Sequence, residues 1–490
     1  MGGAMSDSQS GTASPGSTSD ARITGNMGPL EIAFFTIAAA GPLLVVAGFL
    51  PVAFMIGGPG AVGAQVIAGL VLVLFSVGLT RMALRITNSG AFYAYIGRGL
   101  GRPMGGGAAF LAVVAYAVIV IGQFGAIGAF TQVLFSSLWG IDIPWIVFSL
   151  ISLVIVAFLG YRQISLSAKV LGVALLTEAG VLLVLAVPVL LQGGAEGYDF
   201  SGFTPTTIFA GAGAGAMFAI AFGAFIGFES TAIYSEEAKN PHRTLPLAIY
   251  LAVGFLTIFY GFMAWVLVTA YGSSAIQEAA LADPVGLVFA AMEQYVGYPA
   301  VVVTEVLLVT SSFASVLAFH NTASRYMFAL GRERLLPSGL AKVNPKYGSP
   351  YVASQVMVAI ALVLTVIFYL IGADPYLQVF LLGVAPGVIA IVVLQALCSV
   401  AIVAYFARHR DSNLTVWSTI VAPAVSAVLL TIACYLIMTN FDYFTGRTDW
   451  VNWALLAILP VVFLIGVVRT LIMRSSRPAE YAVLTETKVY

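Results

Sequence analysis

The sequence is short of charge. Only 9% of its 490 residues are Asp, Glu, Lys or Arg, against about 25% in soluble domains. A water-soluble chain of this size could not cover its surface with so few charges, so lipid is the solvent for most of it. Neither sign is in excess, since 21 basic residues face 21 acidic ones, and no basic footprint for nucleic acid results. Cysteine is nearly lacking. Cys398 and Cys434 both sit inside apolar runs, where a thiol behaves as a small buried hydrophobe. Two cysteines and three histidines give no disulfide framework and no metal-ligand spacing. The chain also lacks a nucleotide loop and a nucleophile–base pair, so it is not expected to be an enzyme or to carry a cofactor or metal.

What fills the sequence instead is apolar residue after apolar residue, 60% of the whole. Apolar segments lie near 31–57, 60–80, 105–135, 144–160, 167–191, 206–233, 246–271, 299–323, 351–372, 376–406, 415–439 and 450–473. Most reach ~20 residues, enough for a helix to span ~30 Å of hydrocarbon. Membrane barrels need ~10-residue alternating segments, which these are not. The expected class is an all-α membrane protein with twelve transmembrane helices. Residues 1–26, rich in Gly, Ser and Thr, are expected to form a disordered cytoplasmic tail and not a signal peptide. The polar end at 475–490 is expected to be a second, loose cytoplasmic tail.

Basic residues set the orientation. With both termini inside, Arg81, Arg85, Arg98, Arg102, Arg162, Lys169, Lys239 and Arg243 fall in cytoplasmic loops. So do Arg325, Arg332, Arg334, Lys342, Lys346, Arg408 and Arg410, and the tails add Arg22, Arg469, Arg474, Arg477 and Lys488. Arg447 alone falls outside, so 20 of the 21 basic residues obey the positive-inside rule. An odd helix count inverts half the loops and spoils this split.

Two segments look interrupted. The first reads Ala40-Gly41-Pro42-Leu43 after two further alanines. Pro42 has no N–H and clashes with the turn before it, and Gly41 tolerates unusual backbone angles. The sixth reads Gly223-Ala224-Phe225-Ile226-Gly227-Phe228-Glu229. A break in lipid leaves orphan backbone groups at several kcal/mol each unless it lines a cavity. Breaks in the first and sixth helices occupy corresponding places if helices 1–5 and 6–10 are two inverted repeats, and such pairs point to a central binding site. Exposed N–H groups there suit a carboxylate and exposed C=O groups suit an ammonium or a metal cation. An amino acid carries both ends.

Three motifs then point to one family. Gly227-Phe228-Glu229 followed by Glu236-Glu237-Ala238-Lys239-Asn240-Pro241-His242-Arg243-Thr244-Leu245-Pro246 resembles the GFE…EExKNPxRxxP pattern of the amino acid–polyamine–organocation permeases. Gly90-Ala91-Phe92-Tyr93-Ala94-Tyr95, leading to Gly101, resembles the family's GGxYxY start of helix 3. Asn321…Ser324-Arg325…Ala329-Leu330-Gly331-Arg332…Leu335-Leu336-Pro337, with Asn344 and Pro350, resembles the segment between its helices 8 and 9. The resemblance covers residues 28–473 and implies a LeuT-like five-plus-five inverted repeat, with helices 11 and 12 added. It implies a permease domain over 27–474 that holds helices 1–5 within 31–191, 6–10 within 206–406 and 11–12 within 415–473. The chain departs from the family at Gly41-Pro42, where a GSGI-like stretch is usual, and at Gly223, where many members carry a bulky aromatic gate. Phe225 and Phe228 remain as candidate gates, and a small residue at 223 suggests a roomier or differently gated pocket.

Glu178, Glu229 and Glu305 lie deep in apolar helices, where a carboxylate is a functional candidate by default. Glu229 follows the second break and is a gating candidate. Many proton-coupled members of the family carry a lysine near the position of Glu178. A carboxylate there could exchange a proton near neutrality, attract a bound cation or meet the substrate's amine. Glu305, two turns from the outer surface, is expected to snorkel. Thr310-Ser311-Ser312 could hold Na⁺ against helix 1 carbonyls or merely pack. His320 is expected to be a satisfied polar contact. The expected activity is secondary transport of an amino acid across the bacterial inner membrane, proton-coupled through Glu178. A polyamine or organic-amine carrier, an amino acid exchanger and a sodium symporter stay open as alternatives. So do the substrate's identity and the oligomeric state.

Overall fold

A computed structural model describes residues 27–86, 92–162, 168–210, 213–229, 231, 238–409 and 414–484. The expectations placed on 1–26, Gly90, Ala91, Glu236, Glu237 and Lys488 lie outside these residues. The described residues fold mainly into helices. The first apolar segment gives α1 (Pro29–Ala40), α2 (Pro42–Gly48) and α3 (Leu50–Gly57), and the second gives α4 (Ala61–Ala83). Then come α5 (Phe92–Leu100), α6 (Arg102–Trp139), α7 (Trp145–Arg162) and α8 (Ala168–Gln192). The short α9 (Pro205–Ile208) precedes α10 (Ala214–Gly223), and α11 (Pro241–Tyr271) follows the motif that carries Glu229. Two short helices, α12 (Ile276–Ala282) and α13 (Leu287–Tyr295), lead to α14 (Tyr298–Arg332) and α15 (Tyr351–Leu370). A π-helical turn over Pro375–Leu381 opens α16 (Leu382–Arg408). The end comprises α17 (Ala422–Thr439), α18 (Phe441–Thr445), α19 (Trp450–Ser476) and α20 (Pro478–Val483).

Among the described residues, eleven helical stretches are long and apolar enough to cross a membrane. The sixth apolar segment is instead represented by α10, of ten residues. Helix starts follow proline. Pro29, Pro42, Pro51, Pro103, Pro241 and Pro299 stand in the first turns of their helices, where a missing N–H costs nothing and the fixed φ is already helical.

α6 runs through the middle, with α14, α16 and α19 packed along it. Its glycines permit this. A Cβ at Gly122 would stand 2.9 Å from the Phe380 carbonyl, and one at Gly125 2.6 Å from the Pro375 carbonyl. These backbones approach as small-residue contacts in membranes do. In the most apolar stretch of α6, 72% of residues are buried in the protein, against 17% for α19. α19 therefore turns most of its surface to lipid.

The one basic residue assigned to the outer side is neutralised locally. Arg447 pairs with Asp449, and that hydrogen bond and charge hold the Asp449 carboxyl below the usual carboxylate range. The C-terminal end differs from expectation. Residues up to Leu484 are ordered against the protein and not loose. Arg102 donates to the carbonyls of Ala482 and Leu484 and lies over the Tyr481 ring, and Leu484 is buried. The apolar side chains Tyr481 and Leu484 give this segment something to bury, which its polar composition hid.

Candidate functional site

The first break is abrupt. Gly41 sits at φ +61°, in the left-handed region, and its N–H turns back to the carbonyls of Ile37 and Ala38 at 3.1 and 3.2 Å. α2 begins at the next residue with Pro42, which has no N–H to offer. The next amide, that of Leu43, donates to Glu178 Oε2 from 3.3 Å. Ser311 Oγ donates to the same oxygen at 2.9 Å, and Ser315 Oγ donates to the Ala39 carbonyl at 3.0 Å. Thus α8 supplies an acid and α14 two hydroxyls, and all three converge on the interrupted backbone of the first segment. Glu178 is 5% exposed.

The second break unwinds gradually. After α10, Phe225, Ile226 and Phe228 donate to carbonyls three residues back at 3.2–3.3 Å, the tighter spacing of a 3₁₀ turn. Gly227 then takes φ +112°, a conformation that L side chains avoid. Its N–H donates to Glu229 Oε2 at 3.0 Å, and Tyr116 of α6 donates to Oε1 at 2.8 Å. Both oxygens of this buried acid are therefore met. The Tyr116 ring stacks on Tyr326 with centroids 5.4 Å apart.

The two breaks touch. A Cβ placed on Gly227 would lie 3.5 Å from the Ala40 nitrogen and 3.6 Å from the Ala39 carbonyl carbon. Thr36 Oγ1 and Thr231 Oγ1, 2.9 Å apart, link the same two segments. Ala40, Gly41, Pro42 and Leu43 therefore share one region with Gly227, and Ala224, Phe225, Ile226 and Phe228 are buried beside it. Phe225 meets the Tyr260 ring edge-on at 5.5 Å, and Phe228 meets Phe75 at 6.2 Å. Gly223 leaves no spare room. A Cβ there would come within 3.1 Å of Val388 and 3.2 Å of the Phe49 ring, so these side chains take up the space that the missing aromatic leaves.

Several expectations fall elsewhere. Thr310 is exposed and bonds its own helix at the Leu307 carbonyl, so Ser311 and Ser315 are the α14 hydroxyls at the break. Glu305 does not snorkel; it is buried and accepts from Ser137 at 2.7 Å. His320 meets Ser354 at 2.9 Å, with its other ring nitrogen unpartnered among the described residues. Sequence reasoning did not single out Tyr116, Ser315, Gln123 or Tyr260. Gln123 Oε1, Ser312 Oγ and Tyr260 OH are buried and have no partner among the described residues. Such groups cost ~1–3 kcal/mol if unmet, and each can bond a polar ligand. A four-residue spacing of Ser311 and Ser315, one face of a helix, was the available signal for Ser315. Nothing local marks Tyr116.

Helices too apolar for water define a multi-pass membrane protein, and its paired breaks are the candidate site within it. The chain belongs to the amino acid permease family, whose model matches residues 31–482. It is similar to the branched-chain amino acid permease BcaP of Lactococcus lactis, 29% identical over 315 residues, or 60% of this chain and 66% of the relative. It is also similar to the branched-chain amino acid permease BcaP of Bacillus subtilis, 28% identical over 61% of this chain and 65% of that protein. A methylthioribose transporter of Bacillus subtilis is 31% identical over a shorter stretch, 27% of this chain and 28% of the relative. The matched region thus spans just under two thirds of the length of the branched-chain relatives.

Proposed function

We propose that this protein is a secondary active permease that carries amino acids across a bacterial plasma membrane by alternating access. It crosses the membrane twelve times, α10 and the residues after it forming the sixth span, with both termini cytoplasmic. The first ten spans are two LeuT-like inverted halves that rock about the central site. The observation that carries this reading is the contact between the left-handed break at Gly41 and the positive-φ break at Gly227. Such paired breaks expose backbone groups to a ligand at mid-membrane. The substrate's carboxylate and ammonium bind there, and its side chain lies among Phe225, Ile226 and Phe228. That apolar wall, together with the names of two relatives, favours a branched aliphatic amino acid.

Coupling is to protons, through Glu178. Charged, this carboxylate accepts from Leu43 and Ser311 and ties the break to α8 and α14. Protonated, it gives up an acceptor and loosens that tie. Uptake of labelled leucine, valine, arginine and putrescine into proteoliposomes under imposed pH gradients tests both parts. Leucine or valine should be taken up best and respond to the gradient, and Glu178→Gln should abolish the response. Unchanged gradient dependence in the variant sinks the coupling role. Preference for putrescine sinks the substrate class in favour of an amine carrier, and uptake only against internal amino acid identifies an exchanger. One further observation favours a sodium symporter as second reading. Glu178 with Ser311, and Ser315 with the Ala39 carbonyl, offer only oxygen atoms at the first break, the kind hard cations take. A sodium gradient that drives uptake at equal pH decides for it.

A further inference from the structure

At the end of the protein that the basic residues assign to the cytoplasm, three arginines line one small cavity. Its volume is about 60 Å³, and Arg334, Arg469, Arg477 and Ser476 supply its polar wall. They come from distant parts of the chain: the turn after α14, the inner end of α19 and the residue joining α19 to α20. Glu480 is the counter-charge, bonded to Arg334 at 3.0 Å and to Arg477 at 3.4 Å. One carboxylate against three guanidiniums leaves a surplus of two positive charges. Arg469 has no partner among the described residues and is exposed. The backbone adds a second oddity. Arg334 is the one non-glycine described at positive φ, +59°, a left-handed conformation an arginine adopts only at a cost. The last carbonyls of α19 oppose an anion here, yet they amount to roughly half a charge against the net two of the guanidiniums.

The surface leading away from the cavity is apolar and follows helical spacing. Val461, Ile465, Val468 and Ile472 are each about half exposed, at 51–52%, and Ile472 itself lines the cavity. Positions four, three and four apart lie along one face of α19. A positive pocket at the end of a bare apolar stripe suits a molecule with an anionic head and a long hydrocarbon tail.

We propose that this cavity binds the phosphate of an anionic membrane phospholipid, whose acyl chain lies along the Val461–Ile472 face of α19. Guanidinium forks match phosphate oxygens in geometry as well as charge. The bound headgroup joins α19, the turn after α14 and the C-terminal helix α20, and it competes with Glu480 for Arg334 and Arg477. This is distinct from the central site and does not depend on what is transported.

The full-length protein in nanodiscs of phosphatidylcholine alone, or doped with phosphatidylglycerol, provides the test. Native mass spectrometry reads bound lipid and thermal unfolding reads its effect. At about a factor of five per arginine near an anionic headgroup, phosphatidylglycerol should be preferred roughly tenfold to a hundredfold. Arg469→Gln, which breaks no hydrogen bond or ion pair among the described residues, should cut that preference several-fold, and adding Arg334→Gln and Arg477→Gln should erase it. Arg474→Gln, on the same helix end but outside the cavity, should matter little. Equal retention of the two lipids by the wild-type protein overturns the proposal, as does an undiminished preference in Arg469→Gln. If inorganic phosphate at millimolar concentration gives the whole stabilisation, the site takes a free anion and the lipid assignment fails.

Discussion

The two breaks solve the same problem with different resources. At Gly227 the freed amide is met from within the segment, by the carboxylate two residues on. At Gly41 the next available amide, that of Leu43, is met from α8, 135 residues away. A local partner moves with its backbone, so the second break keeps its hydrogen bond if the segment shifts as a unit. A remote partner does not, so any displacement of the first segment relative to α8 stretches or breaks the Leu43–Glu178 bond. The first break is therefore the more easily displaced of the two, and the second is the stiffer. Tyr116 reinforces that stiffness by bonding the other oxygen of Glu229 from α6.

Substitutions can break this contrast. The largest effect is expected from Gly227→Ala. At φ +112° the added Cβ strains the backbone by ~1–3 kcal/mol, while the atoms it would meet, 3.5 Å away, stand at ordinary contact distance. Gly41→Ala should cost less in backbone strain, about 1–2 kcal/mol, because left-handed helical angles are open to alanine at that penalty, although its Cβ would press on Leu44 at 3.3 Å. Thermal unfolding in detergent measures both. If the two variants are equally stable, the second break is not the more constrained one. Tyr116→Phe comes next. It leaves one oxygen of a buried acid without its donor, at ~1–3 kcal/mol, and should lower the unfolding temperature. Its effect on gradient dependence of uptake should be small, unlike that of Glu178→Gln. The reverse result would exchange the roles given to the two acids.

How much of this could be read from the chain follows from the same contrast. The Gly227–Glu229 bond is local, so the Gly-Phe-Glu motif already contains both partners. Glu178 stood out as a carboxylate in an apolar run, but Leu43 and Ser311 as its partners depend on how α8 and α14 pack. Composition and loop charges outlined a helical membrane protein because lipid demands apolar residues along every span and the positive-inside bias acts on the charges of every loop. The phase of α14 was hidden for a related reason. The residues around Thr310 and Ser311 are apolar or hydroxylic on several faces, so no moment marked which hydroxyl turns inward. The break in the sixth segment, by contrast, was marked by its own glycines, and α10 ends at Gly223 after ten helical residues.

The smallest expected effects sharpen the assignment on α14. Adjacent helical positions lie ~100° apart, so Thr310 and Ser311 cannot both face the break. Ser311→Ala removes one of two donors to Glu178 Oε2 and leaves the Leu43 amide in place. Interhelical side-chain bonds of this kind average about 0.6 kcal/mol in membranes and reach about 1.7, so a modest drop in stability is expected, with a shift in the pH at which uptake is half-maximal. Removing a donor to the charged acid disfavours that charged form, and the half-point should move to higher pH. Thr310→Ala touches only its own helix at an exposed position and should stay within ~0.5 kcal/mol with an unmoved pH profile. If Thr310→Ala shifts the profile and Ser311→Ala does not, Glu178 is tied to the wrong hydroxyl and the coupling role assigned to the first break falls with it.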